Sequence, residues 1–306
     1  MRSLESRLPT FLILSAVAGA ALLIAAAPRA HMSDTTQGRD PKGIAVIELF
    51  TSEGCSSCPP ADRVLSEIAA EAKKSGTPVN TLAFHVDYWN NLGWPDRFSS
   101  PEATHRQKLY GAAFHSNRSY TPQMIVGGAK DRVEFVGSDG DRAKKEIKAA
   151  QTHAAADVKV KISPRRAGEK FIVDVSADPT IATIMDGKAD VLIALTEDGL
   201  STDVKKGENA GEHLKHDAVV RAFEVVALSK QGTAQVMLTA PSDIREANSH
   251  IIAVVQKRAD LQVLGAAGVA VETSAARTPS PHVNTLAFHV DYWNNLGWPD
   301  RFSSPE

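Results

Sequence analysis

The pattern of apolar and polar positions changes character about halfway along the chain. In the first half, short apolar runs alternate with stretches of helical period. Ile44–Phe50 is an apolar, strand-like run, and Ala61, Val64, Leu65, Ile68 and Ala69 then recur at helical spacing. A helix is therefore expected over Pro60–Lys74. A second strand is expected at Val79–Val86, leading into an aromatic, turn-rich loop from Asp87 to Pro95. Pro101–His115 reads as a helix, with Pro101 and Glu102 suited to its first turn. Tyr120–Val126 reads as a strand entered through Pro122, turning at Gly127-Gly128 into Arg132–Val136. Asp139–Thr152, rich in Lys and Ala, completes this half as a third helix.

Beyond about Ala156 a period of two takes over. Val158–Ile162 and Phe171–Val175 alternate strictly, and Ala189–Thr196, Ala234–Thr239 and Ile251–Gln256 are further short strands between turn residues. Lys206–Arg221 interrupts them as an ordered loop or short helix. The expected class is α/β. A thioredoxin-like domain, a mixed sheet with flanking helices, would occupy residues 43–155, followed by a smaller β-sandwich-like domain over residues 156–273.

The two ends of the chain need separate readings. Arg2 and Arg7 precede an apolar stretch from Phe11 to Ala27, so residues 1–27 read as a secretory signal peptide and residues 28–42 as a linker. No other run reaches the roughly 20 apolar residues that span a bilayer. A periplasmic or secreted protein follows, with no stable membrane embedding once the signal is cut. Val79–Glu102 and Val283–Glu306 are identical at every position. Structural repeats share a pattern rather than every surface residue, so the second copy reads as a recent duplication or an assembly error. Residues 274–306 are expected to form a loop and a poorly packed tail.

Composition narrows the partners. The formal charge is -2 with both signs interspersed, which gives no electrostatic case for nucleic acid or an anionic membrane. Lys144, Lys145 and Lys148 read as a solvated helix face. A hydrophobic content of 43% is ample for one or two cores, so stability need not come from cross-links.

The chain has only two cysteines, Cys55 and Cys58. Such a pair can exchange disulfides, bind a soft metal such as Cu(I), or form an inert staple. Its place after a strand and before a helix favours redox work, and export puts it where disulfides persist. Cys55, as the first of the pair, is expected to be the exposed, attacking thiol, and Cys58 the resolving one. Pro59 and Pro60 remove two N–H donors and disfavour helical geometry at Cys58. Glu53 would raise a nearby thiol pKa. The direction of any Cys55 shift therefore stays open.

Other residues carry alternative readings. Thr121-Pro122 is expected to be cis and to face the cysteines, where its backbone would pair with an extended partner. Glu48 is a carboxylate on a buried strand, either a proton relay to Cys58 or a hydrogen-bonded structural residue. Tyr88, Trp89, Trp94 and Phe98 can form a peptide-binding rim or simply pack the loop. His85 and Asp87 share a strand face and can join the cysteines at a metal, although a structural histidine is the stronger reading.

Val46–Asp62, Ala83–Trp89, Arg106-Gln107 and Tyr120–Gln123 together resemble the secreted bacterial thioredoxin-like family catalogued as domain of unknown function 1223. The resemblance spans about residues 43–270, including Gly207–Gly211 and His216-Asp217. It implies a thioredoxin-like fold and an exported location, with Cys55, Cys58 and Pro122 at redox positions. Gly54 stands where thioredoxins usually carry tryptophan, and Ser56-Ser57 replaces the familiar Gly-Pro pair. The duplicated tail also departs from the family pattern. The leading expectation is a thiol–disulfide oxidoreductase acting on a thiol- or disulfide-containing protein, without cofactor or metal. A copper-binding module, or a binding protein with a structural disulfide, is the alternative.

Overall fold

The computed structural model describes residues 44–116, 118–127, 132–153, 159–179 and 185–272. The expected signal peptide, the linker and the duplicated tail lie outside them.

The first-half elements form as expected, with only their ends shifted. Strand β1 (Ala45–Thr51) is buried along its whole length. It pairs in parallel with β2 (Val79–His85) and antiparallel with β3 (Gln123–Gly127), which folds back as β4 (Val133–Val136). Helix α1 (Pro59–Ser75) places both prolines in its first turn, where helical N–H groups have no intrahelical partner anyway. It stops at Gly76, which takes the left-handed conformation that closes a helix. Helix α2 (Pro101–Ala113) is capped by Ser100, whose hydroxyl accepts from the Ala103 N–H. Helix α3 (Gly140–His153) follows β4.

The second half departs from the expected division. Its strands are β5 (Val160–Ala167), β6 (Lys170–Ala177), β7 (Ala189–Glu197), β8 (Leu200–Asp203), β9 (His213–His216), β10 (Val219–Ala227), β11 (Thr233–Thr239), β12 (Ser249–Lys257) and β13 (Val263–Ala270). Four of them extend the first-half sheet to eight strands, in the order β13-β12-β7-β10-β2-β1-β3-β4. The junction is the parallel pairing of β10 with β2 at Val219 and Ala83. Expecting a separate domain over residues 156–273 therefore misplaces the seam, because alternation predicts strands but not their neighbours. Residues 206–221, expected as a loop or short helix, instead hold β9 and the start of β10.

Side-chain alternation divides the large sheet into two faces. On one, Ile47 and Leu49 pack against Leu65 and Ile68 of α1 and Ile147 of α3. On the same side, Val191, Ile193 and Leu195 of β7 meet Phe171, Val173 and Val236 of a three-stranded sheet ordered β11-β6-β5. The other face carries Val46, Phe50, Phe84, Leu192 and Val254 with Tyr110 of α2. This second core draws on both halves of the chain, and fully burying each large side chain contributes about 1.5–3 kcal/mol.

One close approach locks the first half together. A Cβ at Gly137 would lie 2.8 Å from Leu49 Cδ1, 3.2 Å from Ala61 Cβ and 3.3 Å from Pro122 Cβ. The Gly137 N–H also donates to the Pro122 carbonyl at 3.0 Å. Gly137→Ala is expected to cost about 1–3 kcal/mol in urea unfolding, through overpacking. An unchanged midpoint would mean that β1 and α1 part easily there.

Candidate functional site

β1 runs straight into a tight turn. The Cys55 N–H donates to the Ser52 carbonyl at 3.2 Å, and the Cys58 N–H to the Cys55 carbonyl at 3.1 Å. The two cysteine Cα atoms come within 5.4 Å and the sulfurs are joined in a disulfide. Cys58 is the residue that caps α1. It is right-handed helical (φ -78°, ψ -39°) although it precedes a proline, held there by the turn bond and the bridge.

Neither cysteine has any exposed surface, whereas Ser56 and Ser57 are exposed. The expectation of an exposed Cys55 is thereby corrected. β8 and β9 form a two-stranded arm, paired from Leu200–His216 to Asp203–His213. Its tip, Gly207–Gly211, reaches the cysteine turn. The buried Asn209 amide donates to the carbonyls of Glu53 (2.8 Å) and Cys55 (3.0 Å). The Glu208 carboxylate accepts from the Ser56 N–H (3.1 Å) and hydroxyl (2.7 Å), and these two bonds hold its pKa below the ordinary range. Gly207, at φ +78°, meets Trp94 so closely that a Cβ would lie 3.2 Å from the tryptophan Cβ.

The Thr121–Pro122 bond is cis, as expected. Thr121 Oγ1 accepts from Trp89 Nε1 at 2.8 Å, and a Cβ on Gly54 would lie 3.2 Å from Trp89 Cβ. Trp89 thus ties the proline loop to the turn before Cys55, and a side chain at position 54 would have to push its Cβ aside. Gln107 of α2 pins the same loop, donating to the Tyr120 carbonyl (2.8 Å) and bonding Gln123 (2.9 Å).

Glu53 and Asp62, which flank the cysteines in sequence, belong to a buried polar cluster with Asp96, His85 and His216. His85 Nδ1 lies 2.6 Å from Asp96 Oδ2, and Asp96 also accepts from the N–H groups of Glu53 (2.8 Å) and Phe98 (2.9 Å). His216 stands 3.5 Å from Glu53 and 3.7 Å from Asp62, edge-on to His85 at 5.1 Å between ring centres. Trp94 Nε1 donates to Glu53 and Thr51 Oγ1 to Asp62, each at 2.8 Å.

Burial disfavours every charge in this cluster, and the neighbours decide the outcome. At His85 burial is outweighed by Asp96, with Asp62 and Glu53 adding to it, and the imidazole pKa is raised. At Asp96 burial is outweighed by the His85 charge and by hydrogen bonds, so its pKa is lowered. Glu53 is lowered too: burial and the Asp96 charge push it up, but the neighbouring His216, Thr202 and Trp94 together outweigh them. At Asp62 burial wins despite His216 and His85, and its carboxyl is raised.

Glu48 stands apart from the cysteines. Ile47 and Leu49 face α1, so Glu48 projects from the opposite face, toward α2. Its carboxylate accepts from Arg106 at 2.5 and 2.7 Å and from the Tyr110 hydroxyl at 2.5 Å, all buried. A relay to Cys58 is thereby replaced by a structural ion pair. His85 is bonded to Asp96, and Asp87 accepts from Thr104 at 2.6 Å, so neither turns to the cysteines as a metal ligand. Among the described residues, no group of three or more His, Cys, Asp or Glu side chains is placed to hold a metal ion. Trp89 and Trp94 direct their indole N–H groups inward, and Phe98 is buried against His85 and His216. They serve as struts rather than a rim.

Sequence reasoning missed Asp96, Glu208 and Asn209 as members of the site, and the grouping of Asp62 with His216. The one available signal was the Gly207–Gly211 pair of glycines bracketing two hydrogen-bonding side chains.

A family model described as a protein of unknown function (DUF1223) matches residues 46–256 and 266–306. No curated protein matches the chain. Among solved structures, a crystal structure of an Agrobacterium tumefaciens protein is 30% identical over 76% of this chain and 96% of its own, with a TM-score of 0.54. HBP35 of Porphyromonas gingivalis is 12% identical over 75% of this chain and 76% of its own, with a TM-score of 0.53, which shows a shared fold alone.

Proposed function

The chain belongs to the DUF1223 family of proteins of unknown function, and from that premise we propose that it is an exported, thioredoxin-like thiol–disulfide oxidoreductase. The observation that carries the reading is the position of its two cysteines. They are bridged at the head of α1 and tied through Trp89 to the Thr121-Pro122 loop. The element order β1-α1-β2-α2-β3-β4-α3 and the sheet segment β2-β1-β3-β4 support a thioredoxin-like core, to which the second half is grafted as extra strands.

The reaction needs a partner protein bearing thiols. A partner thiolate attacks Cys55 Sγ, the Cys55–Cys58 bond breaks, and Cys58 leaves as a thiolate that takes up a proton. The partner's second thiolate then attacks the mixed disulfide and displaces Cys55. The partner loses two electrons and the cysteine pair gains them. Run backwards, the same steps reduce or reshuffle a partner's disulfide.

The full burial of both cysteines favours a second reading, a binding protein with a structural disulfide. A peptide carrying one disulfide separates the two. Reduced Cys58→Ser is expected to accumulate a protein–peptide mixed disulfide visible by mass, while reduced Cys55→Ser forms none. If folded Cys58→Ser stays free of peptide, the exchange mechanism is wrong.

A further inference from the structure

The tip of the β8–β9 arm makes contacts that a passive surface loop does not need. Asn209 buries its amide to hold two carbonyls of the cysteine turn, those of Glu53 and Cys55 on either side of Gly54. Glu208, exposed to solvent, takes both donors of Ser56. Glycines with positive φ stand at each end of the tip, Gly207 at +78° and Gly211 at +91°. Both take the left-handed conformation that favours glycine, which lets a short segment bend sharply at each end and present Glu208 and Asn209 to the turn. The disulfide that this turn carries has no exposed surface.

We propose that Glu208 and Asn209 select which thiols reach the Cys55–Cys58 disulfide, by holding the arm tip closed against the turn that carries it. The inference rests on the exchange chemistry proposed above. A small thiol offers nothing to replace the tip's four hydrogen bonds and must wait for the tip to lift. A polypeptide lying extended along the turn replaces them, since lifting the tip frees the Ser56 N–H and the Glu53 and Cys55 carbonyls, a row of backbone groups suited to strand-like pairing. The partner class is therefore a cysteine-bearing extended segment of a protein rather than a free small thiol.

The kinetics of reduction by dithiothreitol test the closed tip separately from any enzymatic activity. The dithiol attacks Cys55 Sγ, the disulfide opens, and the reagent's second thiol closes its own ring, leaving both protein cysteines reduced. For the full-length protein, the rate is expected to level off as dithiothreitol rises, because opening of the tip becomes limiting. In Asn209→Ala, which loses two hydrogen bonds, the rate should stay proportional to reagent and rise by roughly tenfold or more. Glu208→Ala, a change at an exposed side chain that leaves the buried core alone, should show the same in weaker form. Both variants remaining within about twofold of the unaltered protein would overturn the proposal. Failure of the exchange reading would appear instead as absence of the Cys58→Ser mixed disulfide, with the dithiothreitol behaviour unchanged.

Discussion

Arg106→Met is expected to destabilise the protein by about 3–5 kcal/mol, because it leaves the Glu48 carboxylate buried without its counterion. Arg106 and Glu48 are both almost wholly inaccessible, at 2% and 1% exposure. The guanidinium also reaches the Gln256 amide oxygen at 3.2 Å, so the pair joins β1, α2 and β12. Burial opposes the Arg106 charge, but Glu48 overcomes it and raises the pKa further, so the guanidinium stays charged at any working pH. Burial and the same carboxylate push the Tyr110 hydroxyl well up, which keeps it neutral and able to donate. Replacing the pair together, Glu48→Leu with Arg106→Met, should recover most of the loss, since buried ion pairs gain little over well-packed apolar residues. Equilibrium urea unfolding of the two variants measures both effects. A single variant losing under about 1 kcal/mol would mean that water reaches Glu48.

Asp96→Asn should cost about 2–4 kcal/mol, and its effect should depend on pH. The amide can still accept from the Phe98 N–H, but it cannot balance a charged His85. The pKa of His85 is raised in the fold, so its contribution is complete below the ordinary imidazole value, about 6.5, and disappears as pH rises through the raised folded value. The pKa of Asp96 is lowered, so its contribution is present above the ordinary carboxylate value, about 3.9, and is lost as pH falls through the lowered folded value. The pair thus stabilises most between about pH 4 and pH 6.5. Asp62 works in the opposite sense: its raised pKa makes ionisation costly, so stability falls as pH rises through the carboxylate range. Unfolding measured across pH should show the Asn variant losing most in that window and least on the alkaline side. A deficit constant from pH 4 to pH 9 would show that the His85–Asp96 charge pair contributes nothing.

Both variants probe residues whose importance the chain barely advertises. Glu48 was conspicuous as a charge within an apolar strand, and its burial was foreseeable. Its partner was not, because Arg106 lies 58 residues away on a helix facing the other side of the sheet from the cysteines. Asp96 sits in a loop of mixed polar and aromatic residues, where nothing local separates a buried carboxylate from a solvated one. Its role depends on the Glu53 and Phe98 N–H groups and on the His85 ring converging on one point.

What the sequence by itself determined was local. Helical spacing after Pro60, alternation in the strands, the proline before β3 and the placing of two cysteines between a strand and a helix all report interactions within a few residues of one another. The bridged cysteine turn and its neighbouring proline loop follow from them. Tertiary structure alone decided how the strands of the second half were used and whether the disulfide was open. Alternation marks a strand's two faces but not its neighbour, so β10, β7, β12 and β13 could be placed beside β2 only by the fold. The setting of the cysteine turn is equally non-local: the Asn209 amide bonds the Cys55 carbonyl from 154 positions along the chain. Pairing and covering are set by which apolar faces can be buried together, and that choice belongs to the whole chain at once.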